Sequence, residues 1–300
     1  MRVLISGGSG FIGQCLARYL LDQGFEVVIL DRNRSRTESP RLQSFVVDLL
    51  KPELFDKKWF TGVKAVVNLS GKDIFTFWHE KNKKAIWDSR ITVNKNLIGF
   101  IAGLDQKIEV FVSASAVGYY GNKGDAELNE SAPRGRGFLA EVCGAWEEEA
   151  RKAEELGMRS VQVRTAPVLE KNGGILKQVL KSFRFGFSFL FGSGNNWFSW
   201  IHMDDLVRIY QAAITDEKLS GPVNACSPYP VRFRDFMNNL REFRKALLIS
   251  FPKWILKLFL GETADVVLFS QRMVPAKLLE MSFTFTYPRL GDALKEVFSR

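Results

Sequence analysis

The chain is poor in the residues that build disulfide frameworks and metal sites. It has three cysteines and two histidines among 300 residues. Cys15, Cys143 and Cys226 are far apart and form no C-x-x-C pair, so neither a disulfide framework nor a zinc site is expected. His79 and His202 lack acidic or cysteine partners at ligand spacing. We therefore predict no metal site.

Long apolar runs are also missing. No stretch approaches the roughly 20 apolar residues that a membrane-spanning helix requires. The first predicted strand begins at residue 2, with no cationic leader ahead of it. We therefore expect a cytoplasmic protein with no membrane partner, and its 46% hydrophobic content is enough for a substantial core.

Acidic residues are outnumbered, 33 against 42 lysines and arginines, which gives a net charge of +9. The basic residues are scattered, and no helix-turn-helix or zinc-finger pattern arranges them, so nucleic acid is not an expected partner. An anionic small ligand would explain part of the excess. The densest basic cluster is Arg32, Arg34 and Arg36.

The first 32 residues combine an apolar strand, a glycine loop, an amphipathic helix and a second strand. Glycines follow the strand at a G-x-x-G-x-x-G spacing. In such a unit the glycines permit a tight turn, a close approach of backbone N–H groups to a pyrophosphate, and close packing of the helix on the sheet. The pattern predicts dinucleotide contacts from Gly7, Ser9, Gly10, Phe11, Ile12 and Gly13.

Short β-branched runs alternate with helical stretches through the first half of the chain. This alternation predicts an α/β protein with a doubly wound parallel sheet, the NAD(P)-binding Rossmann fold. The strands are expected at 2–6, 26–30, 45–47, 65–69, 110–112 and 161–163, and the longer helices at 85–101 and 138–156.

Ligands of such sheets bind beyond the carboxyl ends of the strands. Asp31 and Arg32 stand at the end of the second strand and favour different cofactors. An aspartate there accepts hydrogen bonds from the ribose 2′-hydroxyl of NAD, whereas an arginine pairs with the 2′-phosphate of NADP. The arginine cluster favours NADP, and NAD stays open as the alternative.

Other strand ends carry further candidate contacts. Asp48 follows the third strand and either meets the adenine edge or caps a turn. Leu69, Ser70 and Gly71 follow the fourth strand and are expected to flank the cofactor. After the fifth strand, Ser113 is a further predicted cofactor contact, while Ser115 and Tyr120 are the candidates on the substrate side.

The glycine loop, Asn68–Gly71 and Ser113–Gly121 together resemble the extended short-chain dehydrogenase/reductases. A narrower resemblance, to an atypical epimerase-like subfamily, is carried by the stretches 85–91, 138–143, 192–194, 197–202, 220–225 and 270–275. The resemblance implies a Rossmann domain over 1–170, completed by roughly 199–226, and a smaller substrate-covering domain over 171–300. It also implies hydride transfer on a small-molecule substrate, and a homodimer.

Members of that superfamily use a serine, a tyrosine and a lysine four residues after the tyrosine. Ser115 matches the serine, but the sequence at 138–143 is Phe-Leu-Ala-Glu-Val-Cys. We therefore keep two hypotheses. One is an NAD(P)-dependent oxidoreductase or epimerase of unknown substrate, with Ser115 and Tyr120 as its catalytic residues; the other is an inert NADP(H)-binding sensor or regulatory protein.

The second half of the chain gives weaker signals. The aromatic stretch 183–200 lines a substrate pocket or an interface, or packs between the two domains. We expect 251–260 to be a helix facing the core, with a membrane-surface helix as the alternative. An amphipathic helix broken at Pro275 is predicted over 264–280.

Overall fold

The computed structural model describes residues 1–171, 173–183 and 185–299. The elements of the first half are, in chain order, β1 (Arg2–Ser6), α1 (Phe11–Asp22), β2 (Glu26–Asp31), β3 (Leu42–Val46), β4 (Val63–Asn68), α2 (Glu80–Trp87), α3 (Val93–Ala102), β5 (Val110–Ala116), β6 (Glu127–Leu128), α4 (Phe138–Arg151), β7 (Arg159–Thr165) and β8 (Val168–Leu169). A single π-helical turn, Asp88–Thr92, joins α2 to α3.

The second half begins with a helix that precedes a run of short strands. Its elements are α5 (Gly174–Phe183), β9 (Phe187–Phe191), β10 (Trp197–Phe198), β11 (Ile201–His202), α6 (Met203–Thr215), β12 (Gly221–Ala225), β13 (Val231–Arg232), α7 (Phe233–Phe243), β14 (Leu247–Phe251), α8 (Lys253–Leu260), α9 (Asp265–Leu268), β15 (Arg272–Met273), α10 (Ala276–Glu280) and α11 (Leu290–Ser299).

Seven of the described strands form one parallel sheet in the order β12-β7-β5-β4-β1-β2-β3. The chain moves outward from β1 to β3, then crosses to β4 and continues outward through β5 and β7 to β12. The strand order therefore reverses beside β1, and a crevice opens there beyond the carboxyl ends of the strands. The predicted doubly wound Rossmann fold is confirmed.

Both faces of the sheet are buried, as parallel sheets require. On one face α1 and α6 cover the sheet, and Leu16, Leu20 and Tyr210 are fully buried there. On the other face α3 and the end of α4 pack on Phe111 and Val66. Burial of one such leucine or phenylalanine contributes roughly 1.5–3 kcal/mol, so these two layers fix the sheet and the loops at its edge.

A separate apolar cluster lies beyond the sheet and is built from later parts of the chain. It joins α5, α7 and α11 around Trp200 and Phe236. Two small parallel pairs, β9 with β14 and β6 with β15, connect distant segments. Helix α6 and strand β12 return to the main sheet, where β12 pairs with β7.

The predictions for 251–280 are wrong in two respects. Helix α8 does not face the core, because Trp254, Leu258 and Phe259 are 64%, 72% and 71% exposed. The helix predicted over 264–280 is limited to α9 and α10, because β15 between them pairs with β6. That pairing buries Met273 completely, which outweighs the helical periodicity. No helix in the described ranges is long and apolar enough to cross a membrane.

Candidate active site

The glycine loop lies where the sequence predicted it, between β1 and α1. Gly7 has a positive φ of 74°, and a Cβ there would come within 2.8 Å of the Leu69 backbone. A Cβ on Gly13 would overlap the carbonyl oxygen of Gly7. Helix α1 begins after Gly10 with no side-chain cap and no acidic residue in its first turn. Its first N–H groups and its positive dipole end are therefore free to receive an anion.

A polar cleft of about 260 Å³ opens beside this loop. It brings together most of the predicted cofactor residues: Gly7, Ser9, Gly10, Asp31, Arg32, Asp48, Leu69, Ser70 and Gly71. Asn33, Leu49, Leu50, Ser89 and Val93 complete its lining.

The Asp31 carboxylate is already engaged within the chain. Its Oδ2 accepts hydrogen bonds from the Ser9 backbone N–H at 3.0 Å and from the Ser9 hydroxyl at 2.6 Å. Its Oδ1 accepts from the backbone N–H of Arg32 at 2.6 Å. Asp31 thus ties the glycine loop to the end of β2, while the Arg32 side chain is exposed at the mouth of the cleft.

Two other cleft residues differ in their hydrogen bonding. Asp48 accepts from the backbone N–H of Leu50 at 3.1 Å, so it caps a turn while it also lines the cleft. The Ser70 hydroxyl is buried without a partner among the described residues. Since buried hydroxyls are rarely left unsatisfied, Ser70 indicates that a polar ligand belongs in this cleft.

A larger, apolar cavity of about 310 Å³ lies on the other side of the glycine loop. Phe11 and Ile12 line it, together with Ala116, Val117 and Gly118 at the end of β5. Helix α4 contributes Leu139, Val142, Cys143 and Trp146; the segment Asp265–Gln271 contributes Asp265, Val266, Val267, Phe269 and Gln271. Phe11 and Ile12 therefore line the cavity. Gly13 does not line it and instead packs against the backbone of Gly7 and Gly8.

The two predicted catalytic residues are not in this lining. The Ser115 hydroxyl donates to Glu147 Oε1 at 2.6 Å in the interior. Tyr120 is fully buried, and its hydroxyl contacts Asn224 Oδ1 at 2.7 Å and accepts from Arg164 at 2.9 Å. Burial raises the pKa of Tyr120, and nearby Arg164 lowers it only in part, so this phenol stays protonated at neutral pH and is a poor proton donor. Both hydroxyls take part in hydrogen bonds of the interior, and their catalytic role stays a prediction.

Their partners form a buried ionic network under β5 and β7. Two guanidinium nitrogens of Arg164, Nε and Nη2, donate to Glu147 at 2.8 Å. The guanidinium also lies 3.5 Å from the centroid of the Tyr119 ring. The acceptor groups beside Arg164 raise its pKa, although burial opposes them, so it stays charged. The network therefore holds Ser115 and Tyr120 away from the cavity.

Ser113, the remaining predicted cofactor contact, and His202 both have structural roles. The Ser113 hydroxyl is fully buried, accepts from Asn94 Nδ2 at 3.1 Å and lines neither the cleft nor the cavity. His202 accepts through Nδ1 from the backbone N–H of Asp204 at 3.2 Å, which caps α6. Its ring packs on Tyr287, with 4.2 Å between centroids.

Sequence reasoning missed Arg90, Trp146 and the segment Asp265–Gln271. Arg90 lies within the stretch 85–91, and its pattern gives no functional signal because a lone arginine in a helical stretch resembles a solvated one. Trp146 has a buried Nε1 without a partner among the described residues. No local pattern predicts that the segment Asp265–Gln271 lines the cavity, because the segment is brought there only by pairing with distant parts of the chain.

The model of the NAD dependent epimerase/dehydratase family matches residues 3–226, which include the glycine loop, the residues of the cleft and all of the parallel sheet except Arg2. The chain belongs to this family. A second family model, a domain of unknown function (DUF1731), matches residues 251–297 of this epimerase/dehydratase chain.

Individual relatives extend the likeness over almost the whole chain. The epimerase family protein SDR39U1 homolog, chloroplastic, of Arabidopsis thaliana is 36% identical over 306 residues, covering 99% of this chain and 86% of the relative. The crystal structure of human epimerase family protein SDR39U1 (isoform 2) with NADPH has a TM-score of 0.84 and 28% identity, with complete coverage of both chains.

A more distant structure shares the fold alone. UDP-glucuronic acid 4-epimerase from Bacillus cereus, in complex with UDP-glucuronic acid and NAD, has a TM-score of 0.80 and 17% identity, covering 100% of this chain and 98% of that one. At this identity the likeness says nothing about the substrate of the chain described here.

We predict that Gly13→Ala disrupts the glycine loop. The added Cβ would overlap the Gly7 carbonyl and lie 2.7 Å from the Gly8 Cα, so loop and helix must separate. We expect a loss of about 1–3 kcal/mol in the free energy of unfolding, measured by urea denaturation. Gly99→Ala is the control, because nothing lies within 4 Å of its Cβ position and alanine favours α3. Equal stability of the two variants would contradict this account.

A second prediction concerns the buried ionic network. Glu147→Ala leaves Arg164 buried without its carboxylate partner, which costs about 3–5 kcal/mol of stability. Glu148→Ala is a matched control on the same helix, because Glu148 is exposed and 4.0 Å from Arg134. Urea denaturation of both variants measures the difference, and a loss of under 1 kcal/mol for Glu147→Ala would show that the network contributes little.

Cys143 provides a prediction about reactivity. Burial, and then the nearby charge of Glu147, raise the pKa of the Cys143 thiol to about 12. The thiol is therefore protonated at neutral pH, and thiolate chemistry requires a far more alkaline solution. We expect iodoacetamide at pH 8 to modify Cys143 much more slowly in the native chain than in urea, as measured by peptide mass spectrometry. Equal rates would mean that the thiol is ionised or exposed.

Proposed function

We propose that this chain binds NADP(H) and acts as an oxidoreductase or epimerase on a small molecule held in the apolar cavity. The observation that carries the proposal is the difference in pairing between the two charged side chains Asp31 and Arg32 in the polar cleft. Asp31 is occupied by Ser9 and by the Arg32 backbone, whereas the Arg32 side chain has no described ion-pair partner. A 2′-phosphate would meet a free arginine there, rather than a free carboxylate.

The residues present suit the rest of a dinucleotide. The uncapped start of α1 would hold the pyrophosphate, and the unpartnered Ser70 hydroxyl would bond to the ligand within the cleft. Phe11 and Ile12 would lie between the cleft and the cavity and exclude water from the junction. When bound, the nicotinamide supplies hydride transfer. The NADPH in the human SDR39U1 crystal structure supports the choice of cofactor.

One observation favours the second candidate, an inert NADP(H)-binding sensor. Among the described residues, the cavity lining contains neither a tyrosine nor a lysine. Where α4 begins, the cavity meets Leu139, Val142 and Cys143, none of which donates a proton readily. A sensor would bind the cofactor and leave every carbonyl compound unreduced, whereas an enzyme would oxidise NADPH with at least one.

Cofactor choice gives the direct test of this proposal. We expect Arg32→Ala to weaken NADPH binding about tenfold or more, the effect of losing a charge-assisted hydrogen bond, and to leave NADH binding unchanged. Fluorescence titration with each cofactor measures both affinities. Arg18→Ala, on the exposed face of α1, is the control for general electrostatic attraction. If NADH binds more tightly than NADPH and Arg32→Ala leaves its affinity unchanged, the choice of NADP is wrong. If neither cofactor binds, the whole proposal is wrong.

A further inference from the structure

Arg90 reaches the apolar cavity as a cation without a counter-ion. Its Nη1 donates to the carbonyl oxygens of Lys72 at 3.0 Å and Ile86 at 3.2 Å. Its Nε and Nη2 have no acceptor among the described residues, and no described carboxylate forms an ion pair with it. Burial lowers the pKa of Arg90, and the nearby charge of Asp73 opposes this only in part. The guanidinium therefore carries donors that the described chain does not satisfy.

Trp146 supplies a second unsatisfied donor beside it. The centre of the Arg90 guanidinium lies 5.1 Å from the Trp146 ring centroid. Trp146 is 95% buried and lines the same cavity, and its Nε1–H has no acceptor among the described residues. A buried donor without a partner costs about 1–3 kcal/mol, so the indole N–H of Trp146, beside the half-buried guanidinium of Arg90 at the same cavity, indicates a bound acceptor group. A carboxylate has two oxygens and a charge opposite to that of the guanidinium.

Arg90 lies between the two cavities, because its guanidinium packs against Gly71 of the polar cleft while its side chain lines the apolar cavity. Ser89 and Val93 line the polar cleft, whereas Arg90 lines only the apolar cavity. All three belong to, or adjoin, the π-helical turn Asp88–Thr92, and such turns widen a helix and redirect its side chains. The side chain of Arg90 thus lines the apolar cavity, whereas Ser89 and Val93 line the polar cleft.

Most of the cavity lining is apolar, and its other polar side chains are those of Thr165, Asn196, Ser199, Asp265 and Gln271. Leu139 and Val142 face it from α4, and Val267 and Phe269 close it from the segment Asp265–Gln271. The nearby Arg232 already pairs with Asp125 at 2.7 Å and lies over Trp197, so it is not free for a diphosphate. An apolar body satisfies this lining, and burial of each of its methylenes stabilises the complex.

We propose that the cavity binds a compound with an apolar body and one carboxylate, which Arg90 and the indole N–H of Trp146 hold together. The inference rests on the proposed function where it calls this compound a substrate, but binding of the compound does not require the cofactor. It names the chemical class of the substrate and assigns to Arg90 and Trp146 the role of positioning it.

The test uses calorimetric titration of the full chain with octanoate, butanoate and 1-octanol. We expect octanoate to bind at least tenfold more tightly than 1-octanol, which has the same chain without the charge. Shortening the acid should weaken binding about fourfold per buried methylene. NADPH is titrated separately into the same preparations, so that failure of cofactor binding and failure of carboxylate binding are seen independently.

Three variants locate the site. Trp146→Phe keeps an aromatic side chain but removes the indole N–H together with its five-membered ring. We expect octanoate binding to weaken about threefold to tenfold more than 1-octanol binding, which reports the lost apolar contact. Arg90→Met should weaken octanoate at least tenfold, whereas the exposed Arg18→Met should not. Val142→Trp fills the cavity and should abolish binding of both octanoate and 1-octanol. If Arg90→Met does not fold, Trp146→Phe and Val142→Trp decide the question.

Several outcomes would overturn the inference. The first is that 1-octanol binds as tightly as octanoate. The second is that neither Trp146→Phe nor Val142→Trp changes the affinity for octanoate. The third is that UDP-glucuronate binds tightly and octanoate does not bind. Arg90→Met weakening NADPH but not octanoate would assign Arg90 to the cofactor instead. Octanoate binding that depends on Arg90 in a chain that binds no NADPH would support this inference and overturn the proposed function.

Discussion

The close approach of the glycine loop to the sheet is the constraint on which the rest of the site depends. Gly7 lies against the backbone of Leu69, and Gly13 lies against Gly7, at separations that leave no room for a Cβ. This contact brings the start of α1 to the crevice where the strand order reverses. The hydrogen bonds from Ser9 to Asp31 then lock the loop to β2. One backbone contact thus sets both the polar cleft and the wall of the apolar cavity.

The two cavities differ in chemistry because different layers build them. The polar cleft is made by strand ends and by the loop, where backbone N–H groups and short polar side chains converge. The apolar cavity is made where α4 and the segment Asp265–Gln271 cover the neighbouring strand ends, and their large apolar residues leave few polar groups. In this apolar setting the guanidinium and the indole N–H interact more strongly with a ligand than they would at an exposed surface, because the local dielectric is low.

The network around Arg164 determines the positions of Ser115 and Tyr120, the two predicted catalytic residues. Ser115 and Tyr120 have side chains suited to catalysis, yet both are hydrogen-bonded to the buried network of Glu147, Arg164 and Asn224. A buried arginine needs these acceptors, because its charge cannot reach water. The electrostatics of the interior therefore decide where these hydroxyls point, and they point away from the cavity.

The sequence by itself determined the doubly wound Rossmann fold and most of the residues that line the polar cleft, because apolar periodicity and glycine spacing act over a few neighbouring residues. The positions of Arg90 and Trp146, the closure of the cavity by Asp265–Gln271 and the exposure of α8 were decided only by the tertiary structure. Each depends on contacts between segments far apart in the chain, such as the pairing of β15 with β6. Local patterns carry no information about such pairings, whereas packing and charge compensation in the folded chain select them.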